Sequence, residues 1–281
     1  MTAAKTRSFA GFALTRPLLM GIVNVTPDSF SDGGDFARVE DAIAQGRKLM
    51  DDGADIVDIG GESTRPGSQA IGLDEERARV LPVIEALVRA GAVVSVDTRH
   101  AAVMRDAIAA GARIVNDITA LTGDPDSLRV VAASGASVVL MHMQGEPQTM
   151  QKAPRYGDAP AEIAGYLTAR VIACRGAGMA DDRIAIDPGI GFGKTIEHNL
   201  QLLAQADRFA GIGVAVLIGL SRKSFIGRLS RGEPPKERDP GSLAGALAAL
   251  ERGADILRVH DVAGTRQALA VWQAIKAHRL S

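Results

Sequence analysis

The feature that most constrains this sequence is a regular alternation of short apolar runs with longer amphipathic stretches. Strands of a parallel sheet have this pattern, because helices bury both of its faces. Eight such runs occur: Leu18–Val25, Asp55–Gly60, Ala92–Thr98, Arg113–Thr119, Ser137–Met143, Arg183–Ile190, Val214–Ser221 and Asp255–Val262. Eight consecutive β-then-α units predict an α/β protein with a (β/α)8 barrel.

The stretches between these runs have helical composition. They are Val39–Asp52, Asp74–Ala90, Ala101–Ala110, Asp126–Ser134, Glu162–Ala177, Glu197–Ala210, Leu243–Arg252 and a final Val262–Arg279. Several stop at a glycine, which is typical of helix ends: Gly53, Gly91, Gly111, Gly135 and Gly253. An open doubly wound sheet is the structural alternative, although it would more often have fewer units.

No shift in composition marks a domain boundary, so we predict a single domain over residues 1–281. A short segment, Ser8–Arg16, precedes the first strand, and we expect it to plug the N-terminal mouth of the barrel. The charged, proline-rich segment Arg231–Gly241 is interpreted as a solvated connector.

Composition excludes several classes of function. The formal net charge of −1 argues against binding nucleic acid through many phosphates. No apolar run reaches the roughly 18 residues of a membrane span, and the N-terminus lacks the apolar segment of a secretory signal. The single Cys174 forms no internal disulfide and is interpreted as a small buried hydrophobe, so we expect a reducing, cytoplasmic location.

Polar residues collect at the carboxyl ends of the predicted strands, which is the face where barrels of this kind carry their active sites. These residues are Asn24, Asp97, Asn116, Asp117, Asp187, Ser221, Lys223, Arg258 and His260. Any one of them could merely cap a helix or form a turn, and the conjunction favours a site. Asp58 is interpreted as a polar residue of a barrel layer and His142 as a core histidine. The acidic run 74–76 is expected to do no more than complement a helix dipole.

The last two strands indicate an anion site. Phosphate commonly binds there in barrels, and Arg258 and His260 project to the same side because they are two residues apart. Arginine grips phosphate oxygens with two hydrogen bonds, and a carboxylate accepts two parallel N–H bonds from an amino-heterocycle. The residues therefore suggest a substrate with one anionic group and one uncharged, hydrogen-bonding ring.

Other common sites are absent from the sequence. The segment GIGFGKT at 189–195 imitates a phosphate-binding loop, but Pro188 stands where that loop needs its first glycine. No dinucleotide fingerprint follows the first strand, and no G-x-S-x-G elbow is present. Five scattered histidines and one cysteine do not form a zinc motif.

Several longer motifs carry a family resemblance. They are MGIVNVTPDSFSDGG (20–34), DIGGESTRPG (58–67), SVDT (95–98), NDI (116–118), LMHMQGEPQTMQ (140–151), DPGIGFGK (187–194), GLSRKSFIG (219–227) and RVHDV (258–262). In this order, across nearly the whole chain, they resemble the dihydropteroate synthase family. The resemblance implies a pterin-binding barrel that joins (7,8-dihydropterin-6-yl)methyl diphosphate to 4-aminobenzoate. The expected products are 7,8-dihydropteroate and pyrophosphate, with Mg²⁺ as cofactor.

The resemblance also implies roles for individual residues. Pterin binding falls on Asp97, Asn116, Asp187 and Lys223. The residues implied to bind the diphosphate and the metal are Asn24, Arg258, Val259 and His260, with Asn24 as the metal ligand. Positions near the aminobenzoate and the diphosphate are Thr64, Arg65 and Ser224. The residues expected to act in catalysis are Asp97, Lys223, Arg258 and His260, and a homodimer is expected from the family.

Two long loops are interpreted as lids over the barrel mouth. Segments 26–36 and 61–73 exceed the roughly 2–6 residues usual for such connections, and Phe30, Asp32 and Pro66 are expected to take part in closure. The sequence after Asp117 departs from the family's more usual serine-glycine, and this departure lies in the fourth loop.

We hypothesise a dissociative, SN1-like reaction, because an aniline is a weak nucleophile. Two rival functions stay open at this point. One is a pterin-binding paralogue without catalysis, and the other is a barrel that transfers a methyl group from a folate to a corrinoid protein.

Overall fold

The computed structural model describes residues 7–26, 35–64 and 67–279. A two-stranded antiparallel hairpin, β1 (Ser8–Phe9) and β2 (Phe12–Ala13), precedes the main sheet. The main sheet then consists, within these residues, of β3 (Leu18–Asn24), β4 (Ile56–Gly60), β5 (Val94–Asp97), β6 (Ile114–Asp117), β7 (Ser137–Met141), β8 (Ile184–Asp187), β9 (Ala215–Ile218) and β10 (Ile256–Val259).

Strands β3 to β10 pair in parallel with their sequence neighbours, and β10 pairs back with β3. The sheet is therefore a closed barrel, which confirms the predicted fold and excludes the open sheet. The observed strands lie inside the eight predicted runs and are shorter at their ends.

The helices alternate with the strands, as predicted, with ends shifted by a few residues. They are α1 (Asp35–Asp51), α2 (Leu73–Arg89), α3 (Ala101–Ala109), α4 (Ser127–Ser134), α5 (Ala159–Gly176), α6 (Ile196–Ala204), α7 (Asp207–Ala210), α8 (Ser224–Leu229), α9 (Asp239–Leu250) and α10 (Val262–Arg279). All five glycines predicted to end helices have a positive φ. No helix in the described part of the chain is long and apolar enough to cross a membrane.

Three details differ from the sequence prediction. The predicted helix 197–210 is divided into α6 and α7, and the short helix α8 was not predicted. The segment 231–241 is not simply a connector, because it contains a 3-10 turn at Pro235–Glu237 and the start of α9. Pro240 lies in the first turn of α9, where its missing N–H costs no helical hydrogen bond.

The alternation of side chains along each strand divides the buried apolar residues into two cores. One core lies between the barrel and its helices and includes Val57, Val96 and Leu140. The other fills the barrel interior and includes Met20, Ile56 and Leu217. Every second residue of a barrel strand therefore faces inward, which decides the side chains that can reach the mouth.

The N-terminal hairpin closes the bottom of the barrel, where the plug was expected. Phe9 is fully buried and packs with the interior core. Polar contacts hold the hairpin in place, since the backbone N–H of Ala10 donates to the carbonyl of Asp182 (3.0 Å) and Arg113 donates to the carbonyl of Ala10 (3.1 Å). Arg16 pairs with Asp55 (2.6 Å) just ahead of β4. The hairpin is thus part of the barrel's core rather than an appendage.

We expect Phe9→Ala to lower the free energy of unfolding by about 3–5 kcal/mol, because it removes a fully buried ring and leaves a cavity in the core. Phe12→Ala is the matched control, since Phe12 is only partly buried on the other strand of the hairpin. Urea unfolding of the two variants measures the difference. Equal losses would show that the hairpin does not plug the barrel.

Candidate active site

The register of the barrel places the predicted polar residues side by side at one rim. Asn24 pairs with Gly60, Gly60 with Asp97, and Asp97 with Asn116. Asp187 is the last residue of β8 and lies beside Met141 of β7. Residues far apart in the sequence therefore meet at the carboxyl ends of the strands.

Arg258 is the centre of the hydrogen-bonded network at this rim. Its Nε donates to Asp58 Oδ2 (2.6 Å) and its Nη2 donates to Asp97 Oδ2 (2.7 Å). The amide of Asn116 also donates to Asp58 Oδ2 (3.0 Å). One guanidinium thus joins three strands of the barrel. Asp58, which is fully buried, does not only fill a barrel layer but also holds two predicted site residues.

Burial dominates the electrostatics of this group. It raises the pKa of Asp97 to about 7, although Arg258 opposes the shift, and the charge of Asp58 adds to it. Burial works to lower the pKa of Arg258, but the carboxylates of Asp58 and Asp97 outweigh it, so that this pKa is raised. Arg258 therefore keeps its positive charge in a site from which most water is excluded.

Asp187 and Lys223 form the opposite side of the rim. Asp187 accepts a hydrogen bond from the backbone N–H of Gly189 (2.7 Å). Lys223 Nζ donates to the carbonyl of Ile190 and lies 4.4 Å from the ring centre of Phe192. Burial raises the pKa of Asp187 against the opposing charge of Lys223, and burial lowers the pKa of Lys223 to about 7 against the attraction of Asp187.

Gly219 keeps the space between these two halves open. A Cβ at this position would lie 3.6 Å from Asp187 Oδ2 and 3.7 Å from Arg258 Cβ. The carboxylate of one half and the arginine of the other therefore flank a position that has no side chain.

A second buried lysine lies behind Asp187 and was not predicted. Lys194 Nζ donates to the carbonyl of Phe192 (2.8 Å) and lies 3.1 Å from His142 Nδ1. Burial lowers the pKa of Lys194 to about 7, and burial together with Lys194 lowers that of His142 to about 3. His142 is therefore a neutral, hydrogen-bonded core residue, as expected. Lys194 ends the DPGIGFGK motif at 187–194, and this position in the motif is the sequence signal that could have pointed to it.

The predicted anion residues occupy the end of β10. His260 Nδ1 lies 3.0 Å from the hydroxyl of Ser221 at the end of β9, and the backbone N–H of His260 donates to the same hydroxyl (3.2 Å). Val259 is predicted to bind substrate, and its side chain packs in the outer core between barrel and helices. It can offer only its backbone to a ligand at the mouth.

The remaining predicted residues differ in their exposure. Asn24 and Thr64 are half-buried, and Ser224 is exposed at the start of α8. Phe30, Asp32, Arg65 and Pro66 lie outside the described residues, so the predicted lids are described only in part.

The fourth loop, which departs from the family pattern, is organised by Asp117. Its side chain accepts hydrogen bonds from the backbone N–H groups of Thr119 (2.7 Å) and Leu121 (2.9 Å). Ala120 and Leu121 have φ of 53° and 60°, the left-handed conformation, and Arg170 of α5 donates to the carbonyl of Ala120 (2.8 Å). Asp117 therefore shapes a loop rather than facing the mouth with Asn116.

Polar contacts anchor the beginning of the second loop. Arg99 donates to both carboxylate oxygens of Glu62 (3.0 Å each), and Arg79 donates to the carbonyl of Gly61 (2.8 Å). Glu76 is fully buried in α2, and its Oε2 lies 2.7 Å from His100 Nδ1. The expectation that residues 74–76 serve the helix dipole only is therefore wrong for Glu76, because its side chain faces the barrel.

The donor chemistry at the rim fits Mg²⁺ held by few protein ligands. Among the described residues, no group of three or more histidine, cysteine, aspartate or glutamate side chains could hold a metal ion. Asn24 offers an amide oxygen at the rim, and Mg²⁺ bound with substrate phosphates takes one or two oxygen ligands from a protein and keeps several waters.

Residues 20–260 match the family described as pterin binding enzyme. The chain is 46% identical over 262 residues to the dihydropteroate synthase of Escherichia coli strain K12. This alignment covers 93% of this chain and 92% of that protein.

Solved structures agree with this match. The dihydropteroate synthase of Xanthomonas albilineans with 4-aminobenzoic acid has a TM-score of 0.90 and 52% identity, covering 95% of both chains. That enzyme in complex with 7,8-dihydropteroate has a TM-score of 0.86 and 49% identity, covering 95% of this chain and 96% of the other.

The contact between Glu76 and His100 predicts a pH-dependent stability. The hydrogen bond that His100 donates to Glu76 raises the pKa of His100, so the folded protein binds the proton more tightly than the unfolded chain. The resulting stabilisation is complete below about pH 6.5, the ordinary pKa of histidine, and is lost as the pH rises through the raised value. We therefore expect the stability advantage of the wild type over His100→Gln to shrink as the pH rises above about 6.5 and through the raised pKa of His100.

Urea unfolding of both proteins across this range measures the effect. Glu76→Gln is the control, because it leaves the histidine but removes the charge that raises its pKa. An advantage that stays constant or grows with pH would contradict the role assigned to this pair.

Proposed function

The chain belongs to the pterin binding enzyme family, and we propose that it joins a dihydropterin diphosphate to 4-aminobenzoate, as a dihydropteroate synthase does. The observation that carries this proposal is one rim that holds two kinds of groups. Asp97, Asn116 and Asp187 offer hydrogen bonds to a flat ring, and Arg258 with His260 offers positive charge and N–H donors to an anion.

The pterin ring is proposed to bind between the two halves of the rim. Its amino and ring N–H groups suit the carboxylates of Asp97 and Asp187, and its carbonyl suits the Lys223 ammonium. Burial raises the pKa of Asp97 and lowers that of Lys223, so in the free protein it disfavours the charged form of each group. A bound ring with complementary donors and acceptors favours the charged form of each.

The diphosphate is proposed to bind at the ends of β9 and β10. Arg258 stays charged, because the carboxylates of Asp58 and Asp97 raise its pKa. Ser221 orients His260 through the contact of 3.0 Å. Mg²⁺, held in part by the Asn24 amide oxygen, would add positive charge beside the phosphate oxygens.

The reaction breaks the bond between the methylene carbon and the diphosphate oxygen and forms a bond from that carbon to the aniline nitrogen. Pyrophosphate leaves with the electron pair, and the nitrogen loses one proton. Because the aniline is a weak nucleophile, we propose that bond breaking leads. Arg258 stabilises the charge of the leaving group, and the carboxylates of Asp97 and Asp187 offset the positive charge of the ring.

Location and assembly are proposals that rest on the family and the sequence. We propose a cytoplasmic homodimer, in line with a buried, unpaired Cys174. Val271 and Ile275 of α10 are more than half exposed and supply apolar surface for a second copy.

A coupled assay for pyrophosphate tests the proposed reaction. With the dihydropterin diphosphate and Mg²⁺, we expect release of pyrophosphate that depends on 4-aminobenzoate, together with formation of dihydropteroate. Binding of the pterin without release would identify a paralogue without catalysis. Methyl transfer from a folate to a corrinoid protein, with no pyrophosphate, would identify the methyltransferase.

We expect Lys223→Gln to reduce kcat/KM by about 10²–10³-fold, because it removes the buried donor assigned to the carbonyl of the pterin ring, and the loss of one active-site donor has an effect of this size. Lys236→Gln is the matched control, because Lys236 is exposed in the 3-10 turn before α9. The same assay measures both variants. A rate for Lys223→Gln equal to that of the control would remove Lys223 from the site.

A further inference from the structure

Asp58 has one oxygen that the contacts described so far do not use. Its Oδ2 accepts hydrogen bonds from Arg258 Nε (2.6 Å) and from Asn116 Nδ2 (3.0 Å). Its Oδ1 is buried, and no described residue donates a hydrogen bond to it. A buried carboxylate oxygen without a donor is costly, so such an atom in a folded protein points to a role in another state of the site.

Arg258 and a pterin ring compete for the same carboxylate. In this structure Arg258 Nη2 donates to Asp97 Oδ2 (2.7 Å), and Asp97 is the group that the proposed function assigns to the ring. A ring that takes both oxygens of Asp97 must displace Nη2. The displaced N–H then needs another acceptor inside a site where exposed side-chain area is small, 20% for Arg258 and 13% for Asp97.

The free oxygen of Asp58, Oδ1, can serve as that acceptor because of the geometry of the guanidinium. Nε and Nη2 form one edge of the planar group, and this edge matches the two oxygens of a single carboxylate. Nε already donates a hydrogen bond to Oδ2 of Asp58, and Oδ1 belongs to the same carboxylate. Rotation of the guanidinium about its contact with Asp58 is the movement that would transfer Nη2 from Asp97 to Oδ1.

We propose that Asp58 is the positioning residue of Arg258, which exchanges Asp97 for the free oxygen of Asp58 when the pterin ring binds. In the free protein Arg258 bridges two carboxylates. In the complex it forms a two-bond pair with Asp58 alone, Asp97 is released to the ring, and the outer N–H groups of Arg258 face the diphosphate. This inference rests on the proposed function, because it takes the ring and the diphosphate from it.

Asn116 strengthens the coupling between the two substrate groups. Its amide shares Oδ2 of Asp58 with Arg258 and pairs in register with Asp97. Asp58 therefore contacts a residue assigned to the ring, Asn116, and a residue assigned to the diphosphate, Arg258. Occupation of the ring site and orientation of the arginine are linked through one fixed carboxylate.

The first test measures the affinity for 6-hydroxymethyl-7,8-dihydropterin, which has the ring but no diphosphate. Asp58→Asn keeps the shape of the side chain but has only one acceptor oxygen. Nη2 of Arg258 then has no second acceptor on residue 58 and keeps its hydrogen bond to Asp97. We expect the dissociation constant to rise by about 10- to 100-fold, by analogy with the loss of affinity when a residue that orients a metal ligand is mutated. We expect Asp58→Glu, which restores the second oxygen, to recover part of the affinity.

Asp255→Asn is the matched control. Asp255 also pairs with an arginine, Arg7, and it precedes the same strand as Arg258, but at the opposite end of the barrel. We expect it to lower stability without changing the affinity for the pterin. An unchanged dissociation constant for a folded Asp58→Asn would overturn the exchange.

The second test uses the wild-type protein and does not depend on a variant that folds. Nuclear magnetic resonance of ¹⁵N-arginine protein follows the Nε–H and Nη–H signals of Arg258, assigned with Arg258→Lys. On addition of the pterin, we expect the Nε–H signal to stay at its carboxylate-bonded position and an Nη–H signal to shift. Loss of the carboxylate-bonded Nε–H signal would show that Arg258 leaves Asp58, which contradicts the proposal.

The two proposals fail in different ways. If the wild type binds the pterin but releases no pyrophosphate with 4-aminobenzoate, the proposed function fails while the exchange can still be measured. If the wild type is active and neither test shows the exchange, Asp58 has a structural role only.

Discussion

The site depends on the burial of charges of both signs at one end of a closed barrel. Arg258 is held by Asp58 and Asp97, and Lys223 faces Asp187, so no cation at this rim lacks a nearby carboxylate among the described residues. A buried pair contributes little net stability compared with apolar packing, but removing one partner is costly. The arrangement is therefore better explained by its use than by its contribution to folding.

Closure of the barrel makes this arrangement possible. Inward side chains are apolar in the lower part, where Phe9 and Met20 fill the interior, and become polar towards the carboxyl ends of the strands. The apolar lower core and the helices around the strands supply the stability that the polar rim does not. The same inward alternation that builds the core also directs Asn24, Asp97 and Asn116 to a common mouth.

The barrel could be predicted from the sequence, because eight buried strands that are each followed by a helix allow few other folds. The residues of the rim could also be predicted, because the carboxyl ends of the strands of a barrel converge. Contacts that depend on which face of a helix or strand is buried could not be predicted from the sequence. Glu76 lies on the inner face of α2 although its neighbours are acidic and exposed, and Val259 lies on the outer face of β10 although both flanking residues face the site. Lys194 and the pairing of Arg258 with Asp58 need the three-dimensional proximity of segments 52 and 200 residues apart.

The central claim is that one rim binds a flat ring on one side and an anion on the other. A crystal structure of this protein with a non-hydrolysable analogue of the dihydropterin diphosphate tests it most directly. The account predicts the ring edge on Asp97, Asn116, Asp187 and Lys223, and the phosphates beside Arg258 and His260. A ring bound away from these carboxylates, or phosphates at a different part of the barrel mouth, would contradict it.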